Sequence, residues 1–426
     1  MRGGCSLVNS QNPPAGPPVD ASVAQPVRRA ALAFIFVTVL IDILSFGLII
    51  PVLPQLLKQF MGGDIGRATA WHGLFATGYM VMQFFSAPVQ GALSDRFGRR
   101  PVILISNLGL ALDFLIMAFA QTLPWLFIGR LLSGVTSASF STANAYIADV
   151  TPPEKRAAAF GKLGMAFGLG FTFAPVFGAW LGLIDIRMPF MVAAGLCLAN
   201  FCYGLFVLPE SLVPENRSPQ FEWKRANPLA SLRLLRGHPE LFGLASVVFL
   251  MGLAHLVYPM TFVLYADYRF GWGLKMVGYT LLIVGVTTII VQGGLVGRIV
   301  KKLGERRALM FGMGCGALGF LCYGLAPTGY WFWAAMPLAA LWGVANPSAQ
   351  AIMTRHVSPQ EQGRLQGAIG SLNSIAGILA PALFTQTFAA VVHANLHGVL
   401  AGATFYLAAT MVALGGLVAW RVTRGE

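Results

Sequence analysis

Twelve apolar runs, each about 20 residues long, constrain this 426-residue chain more than any other feature. They lie near 30–56, 71–93, 101–120, 124–149, 157–183 and 188–208, and, after a polar gap, near 240–266, 275–300, 307–326, 331–354, 364–392 and 398–420. A helix rising about 1.5 Å per residue crosses the hydrocarbon layer of a bilayer in such a length. In lipid the backbone polar groups must be satisfied within the protein, so these runs fold as helices. Charged residues make up only 11% of the chain, against about 25% in soluble domains, too few to cover a water-facing surface. The expected fold is an all-α membrane protein with twelve transmembrane helices, numbered below as spans one to twelve.

The second constraint is a repeat. The stretch Gly91-Ala-Leu-Ser-Asp95-Arg96-Phe-Gly98-Arg99-Arg100-Pro101 returns in degraded form as Gly297-Arg-Ile-Val-Lys301-Lys302-Leu-Gly304-Glu305-Arg306-Arg307. The offset is 206 residues, and it also maps Trp125 onto Trp331, Pro153 onto Pro359, Gly161 onto Gly367 and Pro175 onto Pro381. A constant offset over this range implies a duplicated unit in each half. The expected organisation is a disordered tail (1–27), a six-helix bundle (28–208), a polar linker (209–239) and a second six-helix bundle (240–426). The tail is rich in Pro, Ala and Gly and lacks the apolar core of a signal peptide. A duplicated helical membrane protein with a basic turn inside each half reads as a secondary transporter.

The net charge of +13 invites a nucleic-acid reading, which the distribution of the charges removes. With cytoplasmic termini, all but six of the 29 Lys and Arg fall on inward segments or tails; the six are Lys58, Arg67, Arg130, Arg187, Arg269 and Lys275. This asymmetry places both termini in the cytoplasm and suits a multi-pass protein of the inner, or plasma, membrane. The basic excess then serves topology and anionic lipid. The five cysteines have no metal spacing, and Cys197, Cys202, Cys315 and Cys322 lie in apolar runs, where packing is their expected role. Trp71, Trp125, Trp331 and Trp420 fall at helix ends, as interfacial aromatics do.

Two carboxylates stand inside spans. Asp42 lies about 12 residues into span one, and Asp113 lies at a similar depth in span three. An ionised carboxylate at the bilayer centre is costly, so such residues face a cavity, find a partner or take up a proton. A protonated structural acid is the alternative. Arg130, early in span four, needs an acceptor in a cavity or snorkels to the outer interface. Gln83, Asn144 and Tyr146 could hydrogen-bond a polar substrate or a neighbouring helix, and Asn346, Gln350, Asn373 and Gln386 form a similar series in the second half. His255 reads as a satisfied core residue, with a proton carrier as the alternative.

The repeated motif has a mechanical logic. Gly91 permits close helix approach and Gly98 a tight turn. Asp95 suits a helix N-terminus. Arg99 is placed to pair with Asp149 at the end of span four, and Arg96 adds to the basic cluster. Such a latch must break when the halves rock.

These residues, Gly91 to Arg100, resemble the signature loop of the major facilitator superfamily in the form found in twelve-helix drug:proton antiporters. The chain is similar to tetracycline efflux pumps almost end to end, notably in Gly47–Pro54, Gln83–Pro101, Tyr146–Thr151, Asn227–Arg233, Leu303–Leu309 and Gly363–Gly367. The resemblance implies substrate and proton handling by Asp42 and Asp113, and roles in transport or gating for Arg130, Asp95 and Arg99. It also implies two rocking bundles around a cavity with Asp42, Gln83, Asp113 and Arg130 on its first-half side. Protons are the coupling ion it implies, with no cofactor, and the partners are a small amphiphilic substrate and the bilayer; the protein is expected to be a monomer. The chain departs from the pumps at Thr288 and Gly316, where they carry a histidine and an aspartate linked to proton coupling, and at Phe173-Ala174-Pro175, where the antiporter pattern prefers Gly before Pro. A metabolite exporter or facilitator with altered coupling is therefore the rival. A membrane enzyme lacks a motif here, with no HExxH, no GxSxG and no cytosolic His/Cys cluster, and no feature favours a non-transporting receptor.

Overall fold

The structure, a computed structural model, describes residues 21–137, 139–218, 232, 239–358 and 361–424. Among them there is helix and no strand. The helices follow the twelve apolar runs. Span one is Ala21–Ile49 continued by Val52–Phe60, span two Ile65–Phe97, span three Arg99–Phe119, and span four Leu123–Thr136 with Ser139–Val150. Spans five and six are Pro153–Ile184 and Met188–Val207. In the second half, span seven is Pro239–His255 with Val257–Phe270, and span eight is Leu274–Ile290, a π turn Val291–Leu295, and Val296–Leu303. Span nine is Glu305–Leu325, and span ten is Gly329–Ala340 with Ala345–Arg355. Spans eleven and twelve are Gln362–His393 and Ala403–Val422.

One boundary moves. Span one starts at Ala21, so residues 21–27 continue the helix instead of joining the tail expected over 1–27. Ala21, Ala24 and Gln25 favour the helix, and Pro26 falls within its first two turns. Residues 1–20 and most of 219–238 lie outside the described residues.

Among the described residues, eight helices are long and apolar enough to cross a membrane by themselves, and Leu123–Thr136 of span four and Gly168–Ile184 of span five are shorter apolar helices. Several spans are interrupted partway: span one before Pro51, span four at Ser137, span seven at Leu256, span eight at its π turn and span ten at a 3-10 turn, Leu341–Val344. Irregular backbone at membrane depth survives where protein or a cavity surrounds it. Hydroxyls along the spans are satisfied by carbonyls one turn back, as in Thr69 to Ile65 (2.7 Å) and Thr385 to Pro381 (2.6 Å).

The halves touch at one end and part at the other. Away from the basic loops, spans two and eleven meet where Thr385 packs directly on Gly73, and spans five and eight meet where Thr172 packs on Gly285 and Ala179 on Gly278. Toward the basic end, a side chain added at Gly91, Gly293, Gly294 or Gly370 would meet none of the described residues within 4 Å, so the expected close approach at Gly91 is not made in this conformation. An aromatic cluster braces the closed end of the second half: Tyr323 stacks on Phe332 at 4.4 Å, and Tyr265 meets Phe405 edge-on at 4.8 Å.

Candidate functional site

Spans two, three and four converge on a buried polar cluster. Asp113 is fully buried, and its Oδ2 accepts a hydrogen bond from Ser133 Oγ. Its Oδ1 has no hydrogen-bond partner among the described residues. Ser133 and Arg130 are three residues apart on span four and so share a face. Arg130 is 7% exposed, which removes the snorkelling alternative. Its guanidinium lies 4.3 Å from the ring centre of Tyr79 and 5.7 Å from that of Phe46, held by cation–π contacts. Its Nε and Nη1 are buried without a partner among the described residues. Unclaimed donors and an unclaimed carboxylate oxygen together form a site with polar capacity in reserve.

Asp42 approaches from span one and is tied to span six, where Asn200 Nδ2 donates to its Oδ1 (2.9 Å) and to the Thr38 carbonyl (3.1 Å). Gln83 is half-buried one turn after Tyr79, and its amide makes no hydrogen bond among the described residues. Asp113, Arg130 and Tyr79 are thus one cluster, with Gln83 on the same helix face as Tyr79, while Asp42 belongs to a second set. Tyr146 is committed elsewhere, donating to the Pro209 carbonyl (3.0 Å).

The second half answers with aromatics rather than charge. A Cβ on Gly316 would lie 2.6 Å from Trp342 Cδ1, so the indole occupies the space an aspartate there would need. Trp342 also faces His255 at 5.8 Å between ring centres. His255 lies at the end of the helix that breaks at Leu256, packed against that indole. Among the described residues no cluster of His, Cys, Asp or Glu could hold a metal.

At the basic end the pairing expected for Arg99 is present. Its Nε donates to Asp149 Oδ2 (3.1 Å), and its Nη1 donates to Ser94 Oγ (2.7 Å) and to Asp95 Oδ1. Asp95 is thereby drawn to Arg99, not to a helix N-terminus. That position is taken by Glu210 from the linker, whose carboxylate accepts from the backbone N–H groups of Arg99 (2.8 Å) and Arg100 (3.2 Å). Gly98 holds the turn at φ 105°, and a Cβ there would meet Glu210 Oε2 at 2.2 Å. Arg96 stays exposed over the Phe97 ring (5.1 Å) and takes no part.

In the second half, Glu305 pairs with Arg355 at 2.7 Å. The offset of 206 aligns Glu305 with Arg99 and Arg355 with Asp149, and it aligns Lys301 with Asp95. The pairing survives with every sign reversed.

The closed end adds residues that sequence reasoning missed. Lys58 Nζ meets Asp267 Oδ2 at 2.5 Å, joining span one to span seven, and Gln55 Nε2 lies 3.4 Å from the same oxygen. His72 Nε2 lies 3.3 Å from the Pro259 carbonyl, a further link from span two to span seven. The available signal was that Lys58 is one of few basic residues away from the basic loops.

Comparison with known proteins agrees with this architecture. Residues 35–381 match the Major Facilitator Superfamily. The chain is 38% identical to the class C tetracycline resistance protein of Escherichia coli over 378 residues, which is 88% of this chain and 94% of that one. It is 36% identical to the class G tetracycline resistance protein of Vibrio anguillarum over 383 residues, 89% and 96% of the two chains. Its fold is similar to that of the human organic anion transporter MFSD10, with a TM-score of 0.69 at 24% identity, covering 92% of this chain and 99% of that one. It is also similar to the nucleoside transporter NupG, with a TM-score of 0.75 at 13% identity, covering 93% and 100%. The chain belongs to the Major Facilitator Superfamily, and within it to the family of the tetracycline resistance proteins.

Proposed function

We propose that this membrane transporter is a proton-coupled exporter of tetracycline-like or other amphiphilic drugs, working by alternating access with both termini and the basic end in the cytoplasm. The observation that carries the reading is the buried Asp113–Ser133–Arg130–Tyr79 cluster, in which an acid and a guanidinium keep unclaimed polar atoms inside the first half. An intramembrane acid of this kind serves ion or substrate passage by default. Asp42 is the second first-half acid, and the arrangement closed at one end and open at the other is the inward-open state of the cycle. The tetracycline assignment is supported by the names of the relatives.

A rival reading, export of another small molecule with altered coupling, is favoured by Trp342 filling the space beside Gly316 and by Thr288 on span eight. The test is tetracycline-driven proton movement in everted vesicles, comparing wild type with Asp113→Asn and Asp42→Asn. Substrate-dependent proton release that both variants abolish supports the proposal. No release from vesicles shown to contain folded protein refutes tetracycline:proton exchange and leaves the rival.

A further inference from the structure

The basic end of the second half contains a cavity of about 560 Å³ that the transport cluster does not use. It is lined by Gly304, Glu305, Arg306, Arg307, Arg355 and Trp420, with Leu303 and Met310 at its apolar wall. Glu305 is neutralised by Arg355, while Arg306 is steadied by a bond from its Nε to Thr423 Oγ1 (3.2 Å). Arg307 is exposed, and Arg424 stacks on Trp420 at 3.7 Å. The lining therefore presents guanidinium charge in excess of carboxylate.

The related site in the first half shows what such a cradle holds. There the turn at Gly98 and the following N–H groups are filled by the Glu210 carboxylate. In the second half, Gly304 has the same backbone form, φ 76° and ψ 162° against 105° and 161°, yet none of the described residues lies within 4 Å of its Cβ position. The offset of 206 aligns Glu210 with Gly416, and among the described residues no carboxylate takes its place beside Gly304. The flanking surface defines the occupant further. Spans nine and twelve, whose ends line the cavity, expose Phe311 and Leu318 on span nine, and Leu414 and Leu417 on span twelve, along their length. A ligand suited to both has an anionic head and apolar chains. Guanidinium groups match phosphate oxygens in geometry as well as charge, and basic pockets between helix ends suit anionic headgroups.

We propose that this cavity binds the phosphate headgroup of an anionic phospholipid, supplying from the membrane the anion that Glu210 supplies in the first half. The test uses the full-length protein purified in detergent and titrated with phosphatidylglycerol, phosphatidylcholine or inorganic phosphate, with bound lipid counted by native mass spectrometry. Wild type retains one phosphatidylglycerol in preference to phosphatidylcholine, and inorganic phosphate does not displace it. Arg306→Gln with Arg307→Gln weakens that binding by about thirtyfold, on the order of fivefold per arginine. Lys301→Gln with Lys302→Gln removes the same charge from the same loop but outside the cavity, and leaves the tight binding in place. Equal loss in both double variants, or no preference for the anionic lipid in wild type, overturns the proposal. Displacement by inorganic phosphate assigns the cavity to a soluble anion and overturns the lipid.

Discussion

Replacing Lys58 with Gln should open the closed end of the molecule. Lys58 and Asp267 are in contact at 2.5 Å, with side chains 27% and 17% exposed. At an effective dielectric near 20 and a charge separation of about 4 Å, their attraction is about 4 kcal/mol. Desolvation and the ordering of two side chains offset most of this, leaving about 1–2 kcal/mol. Because the pair joins spans of opposite halves, that energy favours only the state in which this end is shut. Its loss should shift the ratio of open to shut molecules by about 5- to 30-fold. Thr385, fully buried against Gly73 of the other half, is a suitable reporter. In a background lacking native cysteines, Thr385→Cys should react with a maleimide about 5- to 30-fold faster in Lys58→Gln and in Asp267→Asn. The exchanged pair, Lys58→Asp with Asp267→Lys, should return the rate to near its starting value. Unchanged labelling in the single variants, or no recovery in the exchanged pair, refutes the gate.

Gly98→Ala combines a positive φ with a clash against Glu210 and should cost about 2–4 kcal/mol, read as a lower thermal midpoint than that of Gly91→Ala, where space is open. Arg130→Lys keeps the charge but loses the planar contact with Tyr79, and efflux should fall about tenfold or more while expression holds. Gly316→Asp should cost about 1–3 kcal/mol against Trp342, with folded yield recovered by adding Trp342→Ala. Glu305→Arg leaves Arg355 facing a like charge and should lower the thermal midpoint, whereas adding Arg355→Glu restores it; the exposure of Arg355 keeps the effect to about 1 kcal/mol or less.

The spans were legible because bilayer thickness fixes their length and lipid fixes their composition. The Arg99–Asp149 pair was legible because both residues sit at the same end of adjacent spans, where a lone buried guanidinium needs an acceptor. Glu210 was not, because its place depends on how the linker folds back over span three, and nothing local to Glu210 encodes that path. Asp113 and Arg130 were recognisable singly as costly residues in apolar runs. Their union through Ser133 and Tyr79 depends on the rotation of three helices about their axes, which hydropathy leaves open. Lys58 and Asp267 are more than 200 residues apart, and each read alone as an ordinary residue at a helix end. Gly316 looked like the loss of a charge, whereas in the fold it is the space that Trp342 fills.

The reversed signs at the basic end have a consequence for the duplicated architecture. Asp95, Arg99 and Asp149 sum to one net negative charge, while Lys301, Glu305 and Arg355 sum to one net positive charge. Both loops stay basic, because Arg96 and Arg100 accompany the first set and Lys302, Arg306 and Arg307 the second. The repeat has kept an ion pair while exchanging which span supplies the acid and which the base. Neither copy can therefore be restored to the other one residue at a time, since each single step would set like charge against like.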